Sequence, residues 1–236
     1  MKNRKKITGF SILALGAFIL NACVSPYQTM TEDVAGFDRI SIRTIGEFII
    51  EQGETESLEV NAPRDFLRYL VVDVDGSTLV IRTRRGYFGG PVQKATFNIS
   101  VKDLNEVTLS GAGAIKMFTL DTDTLEVNLT GAGSVEIDNL TADRLEVNLT
   151  SAGAIIAAGE VDKQYITITG VGSYEGGDLR TEDTDIELTG AGSAVVWAEE
   201  DLDVEVTGVG SVSYFGDPHV YQNISGLGTV NSKGAH

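Results

Sequence analysis

Strict alternation of apolar and polar residues runs through the last 130 residues of the chain and is broken at regular intervals by a Gly-x-Gly pair. One phrase, apolar-polar-apolar-(Ser/Thr)-Gly-x-Gly-small-apolar, recurs with its first glycine at Gly111, Gly131, Gly170, Gly190, Gly208 and Gly226, and with Ser151 in that place in a seventh copy. The intervals are 20, 20, 19, 20, 18 and 18 residues. A fixed period in this range belongs to solenoids, in which one coil cannot bury its apolar face alone and neighbouring coils bury it together. Read as columns, Leu109, Leu129, Leu149, Ile168, Leu188, Val206 and Ile224 are apolar, and the residues just before them, Thr108, Asn128, Asn148, Thr167, Glu187, Glu205 and Asn223, are polar. Period-2 alternation rich in Val, Ile, Leu and Thr predicts half-buried strands. Stacked Asn and Thr columns predict hydrogen bonds running from coil to coil.

The phase is kept through the glycines. Counting on in twos reaches Ile115, Val135, Ile155, Tyr174, Ala194, Val212 and Val230, so the inward positions read apolar, apolar, Gly, Gly, apolar. Glycine inside a strand marks a bend, a bulge or a close backbone approach, which places the pair at a corner of the coil. Each copy is expected to supply two short strands closed by a polar turn such as Asp121-Thr-Asp-Thr124 or Thr141-Ala-Asp143. The last coil ends near Gly228 with an open edge, which calls for a dimer or a C-terminal cap.

Upstream, residues 36–106 form a different β region that leads into the repeats of residues 107–236. Ile40-Ser-Ile42, Phe48-Ile-Ile50, Leu58-Glu-Val60 and Thr96–Val101 are strand-like, and Asp65–Leu70 suits one helical turn. Val71–Val74 and Thr78–Ile81 flank Asp75-Gly76 as a hairpin. No Gly/Ser or Pro-rich linker separates the two regions, so residues 36–228 are expected to fold as one unit. The opening Phe37-Asp-Arg-Ile-Ser-Ile42, the Phe48-Ile-Ile-Glu-Gln-Gly53 stretch, the Leu79-Val-Ile81 strand and the Leu-(Ser/Thr)-Gly-Ala-Gly repeats together resemble the head-GIN domain family, described as auto-transporter adhesins, over about Gly36 to Gly228. The resemblance implies an all-β fold, a right-handed parallel β-helix (β-solenoid), here with 18–20 residue coils. It also implies an adhesive role, and it carries no residue-level site.

Residues 1–22 read as a secretory signal: Lys2, Arg4, Lys5 and Lys6 precede the apolar run Ile7–Leu20, which is too short for a stable transmembrane helix. The ending Leu20-Asn-Ala-Cys23 resembles a bacterial lipobox, which implies lipid on Cys23 and, with Val24 next, sorting to an outer membrane. Residues 23–35 then read as a lipidated N-terminus and tether. Cys23 is the single cysteine, so the chain can form no internal disulfide.

Charge narrows the choice of partners. The whole chain carries a formal −16; without the signal, 14 basic against 34 acidic residues leave −20. That argues against nucleic acid and against an electrostatic hold on anionic lipid. The acidic clusters Glu182-Asp183-Asp185 and Glu199-Glu-Asp201-Asp203 read as solvated turns, and whether they hold calcium stays open. Neither a metal nor a cofactor is expected. The Gly-x-Gly pairs are not dinucleotide fingerprints, because that motif stands once, between a strand and a helix.

Catalysis has little material. The histidines are His219 and His236, and the cations of the repeats, Lys116, Arg144, Lys163, Arg180 and Lys233, are not read into one column. Glu187 and Glu205 stack, but next to Thr and Asn. Surface remains. Each coil presents an outward triplet, exemplified by Thr130-Ala132-Ser134, Thr189-Ala191-Ser193 and Thr207-Val209-Ser211, which stack into a stripe about 30 Å long. A second candidate is the Gly-rich tip Arg84–Pro91, carrying Arg84, Arg85, Tyr87 and Phe88, since Arg and aromatic residues are common binding anchors. Trp197 and Tyr214-Phe215 are expected in a cap or in the core.

The sequence thus describes a non-enzymatic, lipid-anchored envelope protein, an adhesin or surface-interaction module acting through an extended β-helix face on a protein or glycan, with homo-oligomerisation possible and the face of the outer membrane open. The alternatives are a polysaccharide-active β-helix enzyme and a structural or signalling periplasmic lipoprotein. A flat Thr/Ala/Ser array could also bind an ordered surface such as ice.

Overall fold

The computed structural model describes residues 26–86 and 94–236; the signal-like segment, Cys23, Tyr87 and Phe88 lie outside them. Within them the chain is a parallel β-solenoid of about six turns, 74% strand, and its sixteen strands belong to one sheet.

The N-terminal third closes one end. Its strands are β1 (Tyr27–Glu32), β2 (Arg39–Arg43), β3 (Ile45–Gln52) and β4 (Ser57–Pro63), then the helical turn α1 (Arg64–Leu67), then β5 (Leu70–Asp75), β6 (Thr78–Thr83) and β7 (Thr96–Val101). The stretch read as part of a tether is therefore a strand from Tyr27: β1 lies antiparallel on β4, with Tyr27 opposite Pro63 and Glu32 opposite Leu58. An edge strand that buries little, with only Met30 and Glu32 half-covered, leaves no strong apolar signal in the sequence. The expected helical turn is present, with Phe66 buried on it. The hairpin β5–β6 is also present, but its two-residue loop is Gly76-Ser77, one residue later than read, with Gly76 at φ +62° as a type II′-like turn requires.

Chain order and spatial order differ here. The β6–β7 pair forms the outermost parallel coil, and β2–β3 is inserted between it and the repeats. So β2–β3 is itself a solenoid coil and not a separate kind of β region: Ile45, Gly46, Phe48 and Ile50 stand beside Ala112, Gly113, Ile115 and Met117. Thr44 takes the place of the first glycine, which hid this coil from a search for Gly-x-Gly. Antiparallel β5 and β4–β1 lie outside the β6–β7 coil, and Phe48, Phe97 and Phe66 fill the space beneath, the first two stacked with centroids 4.5 Å apart.

The repeats then follow as β8 (Glu106–Leu109), β9 (Ala112–Leu129), β10 (Ala132–Leu149), β11 (Gly153–Ile168), β12 (Ser173–Gly190), β13 (Ser193–Gly208), β14 (Ser211–Phe215), β15 (His219–Gly226) and β16 (Thr229–Ser232). The expectation of two short strands closed by a polar turn is overturned: β9 to β13 each run 16 or 18 residues without a break. In β10 the inward residues are Val135 and Ile137, then Leu140 and Ala142, then Leu145, Val147 and Leu149. At Asp138-Asn139 and Asp143-Arg144 two successive residues face outward, so the alternation changes phase and the coil turns a corner while its backbone stays in the ladder. Gly131 and Gly133 make the third corner. The columns read from sequence stand in register, from Ile115 through Val135, Ile155, Tyr174, Ala194 and Val212 to Val230.

Differences in coil length are absorbed away from the glycines. Register skips fall at Ile137/Leu140, Ile156/Ala158, Gly176/Arg180 and Thr181/Asp183. Where coils change length the core turns polar. The buried Tyr174 hydroxyl donates to Gln164 Oε1 at 2.8 Å, and the Gln164 amide donates to Thr181 and Thr184. Ala194, beside Tyr174 in the next coil, and Gly176 leave room for the ring, and a Cβ on Gly176 would lie 2.5 Å from it. Burial pushes the Tyr174 phenol well above its ordinary value, so it stays protonated and keeps its donor.

Candidate functional site

The glycine corner carries the first candidate surface, and its geometry follows from stacking. A Cβ on Gly131 would fall on the carbonyl oxygen of Gly111 in the preceding coil, and one on Gly133, at φ +154°, on that of Gly113. Both glycines are therefore demanded by the approach of one backbone to the next. Ladder bonds continue around the corner, as from Ala132 N–H to Gly111 O and from Leu227 N–H to Gly208 O, so the corner is held on both sides.

On this frame the triplets stand where the alternation puts them. Thr130, Ala132, Thr189, Ala191, Thr207, Val209 and Ser211 are exposed, and Ser134 and Ser193 are half-exposed. The residues between the glycines stack into a ridge: Ile45, Ala112, Ala132, Ala152, Val171, Ala191, Val209 and Leu227. Its large members stand well clear of the surface, Ile45 at 61%, Val171 at 66%, Val209 at 57% and Leu227 at 79% exposure. Along its C-terminal half runs a shallow groove of about 470 Å³, with Gly172, Gly192 and Gly210 as its floor and Ser173, Ser193 and Ser211 on the far bank. Arg84 and Arg85, the described start of the tip, follow β6 at the other end of the same ridge. β6 lies beside β2, and Thr83 and Thr44 touch through their hydroxyls, so Arg84 follows at the corner of the outermost coil. Arg84 and Arg85 are exposed there, while Tyr87 and Phe88 lie outside the described residues. Sequence reading treated stripe and tip as two places because the order of the first coils cannot be read from the chain.

A second surface is acidic, and the sequence reading is corrected on it twice. Asp183, Asp185 and Glu187 on β12 stand in register with Asp201, Asp203 and Glu205 on β13; these are outward strand positions, not turns. Arg144 and Lys163 do share one column, which continues into Asp183 and Asp201; the skip between β10 and β11 shortens their spacing and hid it. Lys163 pairs with Asp183 at 2.7 Å, and the Arg144 guanidinium lies 3.9 Å over the Tyr165 ring. Burial first, then Asp203 and Asp183, hold the Asp185 carboxyl above its ordinary value, against the pull of Lys163 and Arg144. Two recesses of about 330 and 320 Å³ flank Tyr165, Asp185 and Asp203. Among the described residues no three His, Cys, Asp or Glu side chains converge so as to hold a metal ion.

The expected ladder of like side chains is there: Asn148 donates to Asn128 at 3.0 Å, and Thr130 to Ser110 at 3.1 Å. Trp197 and Phe215, paired across β13 and β14, are on the outside rather than in a cap or core, because they fall on outward strand positions; Tyr214, next to Phe215, packs against the core as expected. His236 stacks on Trp197 at 4.2 Å and meets Phe215 edge-on.

Fold and surface together define a β-solenoid that offers flat outer faces and an apolar ridge. Residues 36–218 match the family described as "Putative auto-transporter adhesin, head GIN domain", and the chain belongs to that family. Among solved structures, a "putative adhesin" from Bacteroides fragilis is 26% identical, covering 88% of this chain and 97% of its own, with a TM-score of 0.85. Two structures from Parabacteroides distasonis share the fold at 24% identity. One, also named a "putative adhesin", has a TM-score of 0.69 with 88% and 97% of the two chains covered; the other, named a "Putative lipid binding protein", has 0.64 with 87% and 96%. No curated protein matches the chain at a significant level.

Proposed function

We propose that the chain is a non-enzymatic, lipid-anchored adhesion module of the bacterial envelope, tethered through Cys23 and binding a protein or glycan along the glycine-corner ridge. The observation that carries this reading is the ridge: aliphatic side chains exposed on corners that the backbone ladder holds rigid. Exposed apolar surface on a rigid frame, bordered by hydroxyls, suits a contact face at little entropic cost on binding. Family membership and the adhesin names of its relatives support the class of function. The lipobox-like Leu20–Cys23 ending supports the anchor.

Two experiments test it. Intact cells carrying the full chain, or its Cys23→Ala variant, are shaved with protease and labelled with antibody. Surface labelling that Cys23→Ala abolishes or releases is the expected result, and labelling only after the outer membrane is permeabilised sinks the adhesive role. The same cells are then applied to glycan and matrix-protein arrays. Val171→Asp with Val209→Asp should cut retention at least about tenfold, the effect of losing a contact worth about 1.4 kcal/mol. Retention equal to wild type removes the ridge from the reading.

A further inference from the structure

The two ends of the solenoid are built differently. At the N-terminal end, antiparallel β1, β4 and β5 and the Phe66 side chain close the core. At the C-terminal end β15 and β16 are the last rungs, β16 running to Ser232 past the Gly228 boundary read from sequence, and among the described residues no strand lies beyond them. Positions that are fully buried one coil earlier, at Leu202, Val206 and Val212, are occupied here by Val220, Ile224 and Val230, and Ile224 is 38% exposed. The outward Tyr221 is 63% exposed. The tail does not cross this opening: Lys233 N–H bonds back to Tyr214 O at 2.8 Å, and His236 rests on Trp197.

An open strand edge is ordinarily blunted by charge, by proline or by a covering segment. Among the described residues none of the three lies along β15 and β16. Residues 182–205 carry nine acidic and no basic residues, whereas residues 206–236 carry only Asp217 and Lys233. A protein of net −16 thus has a last coil of no net charge, with Val220 and Val230 only partly buried and Ile224 exposed.

We propose that this end pairs with the same end of a second copy, β15 against β15 and antiparallel, about a two-fold axis. Charge selects the occupant. Two such acidic copies repel wherever their sides meet, and the terminal coil is where they can touch without bringing carboxylates together. Two identical ends joined by a two-fold axis meet antiparallel, and the pairing closes at two copies. Stacking the C-terminal end on the N-terminal end would instead set β15 on β5, which carries Asp73 and Asp75, and β16 on β1, which carries Glu32, and would not close. In the two-fold pair Ile224 and Val220 gain the cover that Val206 and Leu202 have within one chain. The carboxylates of Asp203 and Glu205, one strand back in each copy, still repel across the joint, so association tightens as salt rises.

The test uses the full chain in cells. Single cysteines replace the outward residues Tyr221, Asn223 or Ser225, which antiparallel pairing sets opposite the same face of the partner. After mild oxidation, a non-reducing gel should show a product of twice the chain mass in at least one of the three. Wild type, which keeps Cys23, sets the background, and Val171→Cys should add nothing to it. Gln222→Lys or Ile224→Lys in the cross-linking variant should reduce the product at least about tenfold. Gln222 is already polar and exposed, so its change tests the joint with the fold intact. No product in any of the three variants, a product of another mass, or a dimer that survives Gln222→Lys each overturns the proposal.

Discussion

Gly131 and Gly133 show how little freedom the corner leaves. Alanine at 131 has no room beside the Gly111 carbonyl, so Gly131→Ala should cost at least about 3 kcal/mol, visible in a urea or thermal melt. Gly53 is the control: its nearest atom to a new Cβ is Ser100 Oγ at 3.5 Å, and Gly53→Ala should melt within about 0.5 kcal/mol of wild type. Equal melting of the two variants would mean that the coils do not approach as described. On the acidic face the sign of the pH effect is fixed by Asp185. Burial, Asp203 and Asp183 raise its pKa in the folded chain, so the folded state binds this proton more tightly than the unfolded state does. The group's contribution is therefore most favourable below the unfolded value near 4 and is lost as pH rises through the raised one. Asp203→Asn relieves the like-charge part of this shift. It should raise the melting temperature at pH 7, with the gain fading toward pH 4; an unchanged or lower melting temperature at pH 7 would contradict the repulsion.

Coils tolerate change at one corner and not at another, and each element shows why. Two residues inserted after Asp138 fall where the register already skips, and should cost about 1 kcal/mol. The same insertion between Ala132 and Gly133 breaks bonds on both sides of the tightest corner and should cost several times as much, measured by the same melts. If both insertions behave alike, the glycine corner is not the rigid one. This asymmetry bears on what the sequence could reveal. In-register parallel stacking repeats residue character at a fixed interval, so the glycine corner, the inward columns and the outward Thr-Ala-Ser triplets were legible. β1 was not, because a strand that covers an edge needs no apolar face. Coil β2–β3 escaped because Thr44 replaces a glycine there. Asp121–Thr124 looked like a turn because a corner inside a ladder and a turn outside it both favour short polar residues. Arg144 and Lys163 were missed as neighbours because the bulge that aligns them sits elsewhere in the coil. That Arg84 and Arg85 stand at the end of the stripe depends on β6 lying outside β2, a matter of topology that local pattern does not encode.

At the scale of the whole molecule, the described coils ladder to the coil before and the coil after, and the closed end holds Tyr27. A load applied between Tyr27 and the C-terminus acts along the solenoid axis, at right angles to the strands, and meets the ladder one rung at a time. Each coil that peels away frees 18 to 20 residues, or roughly 60–70 Å of extended chain. Single-molecule pulling should record a train of small, near-equal steps starting from β15 and β16; one abrupt rupture of the whole length would contradict this. Held at Tyr27, a solenoid of this kind lengthens under strain while the coils next to the held end stay wound, and it can rewind from them when the strain is released.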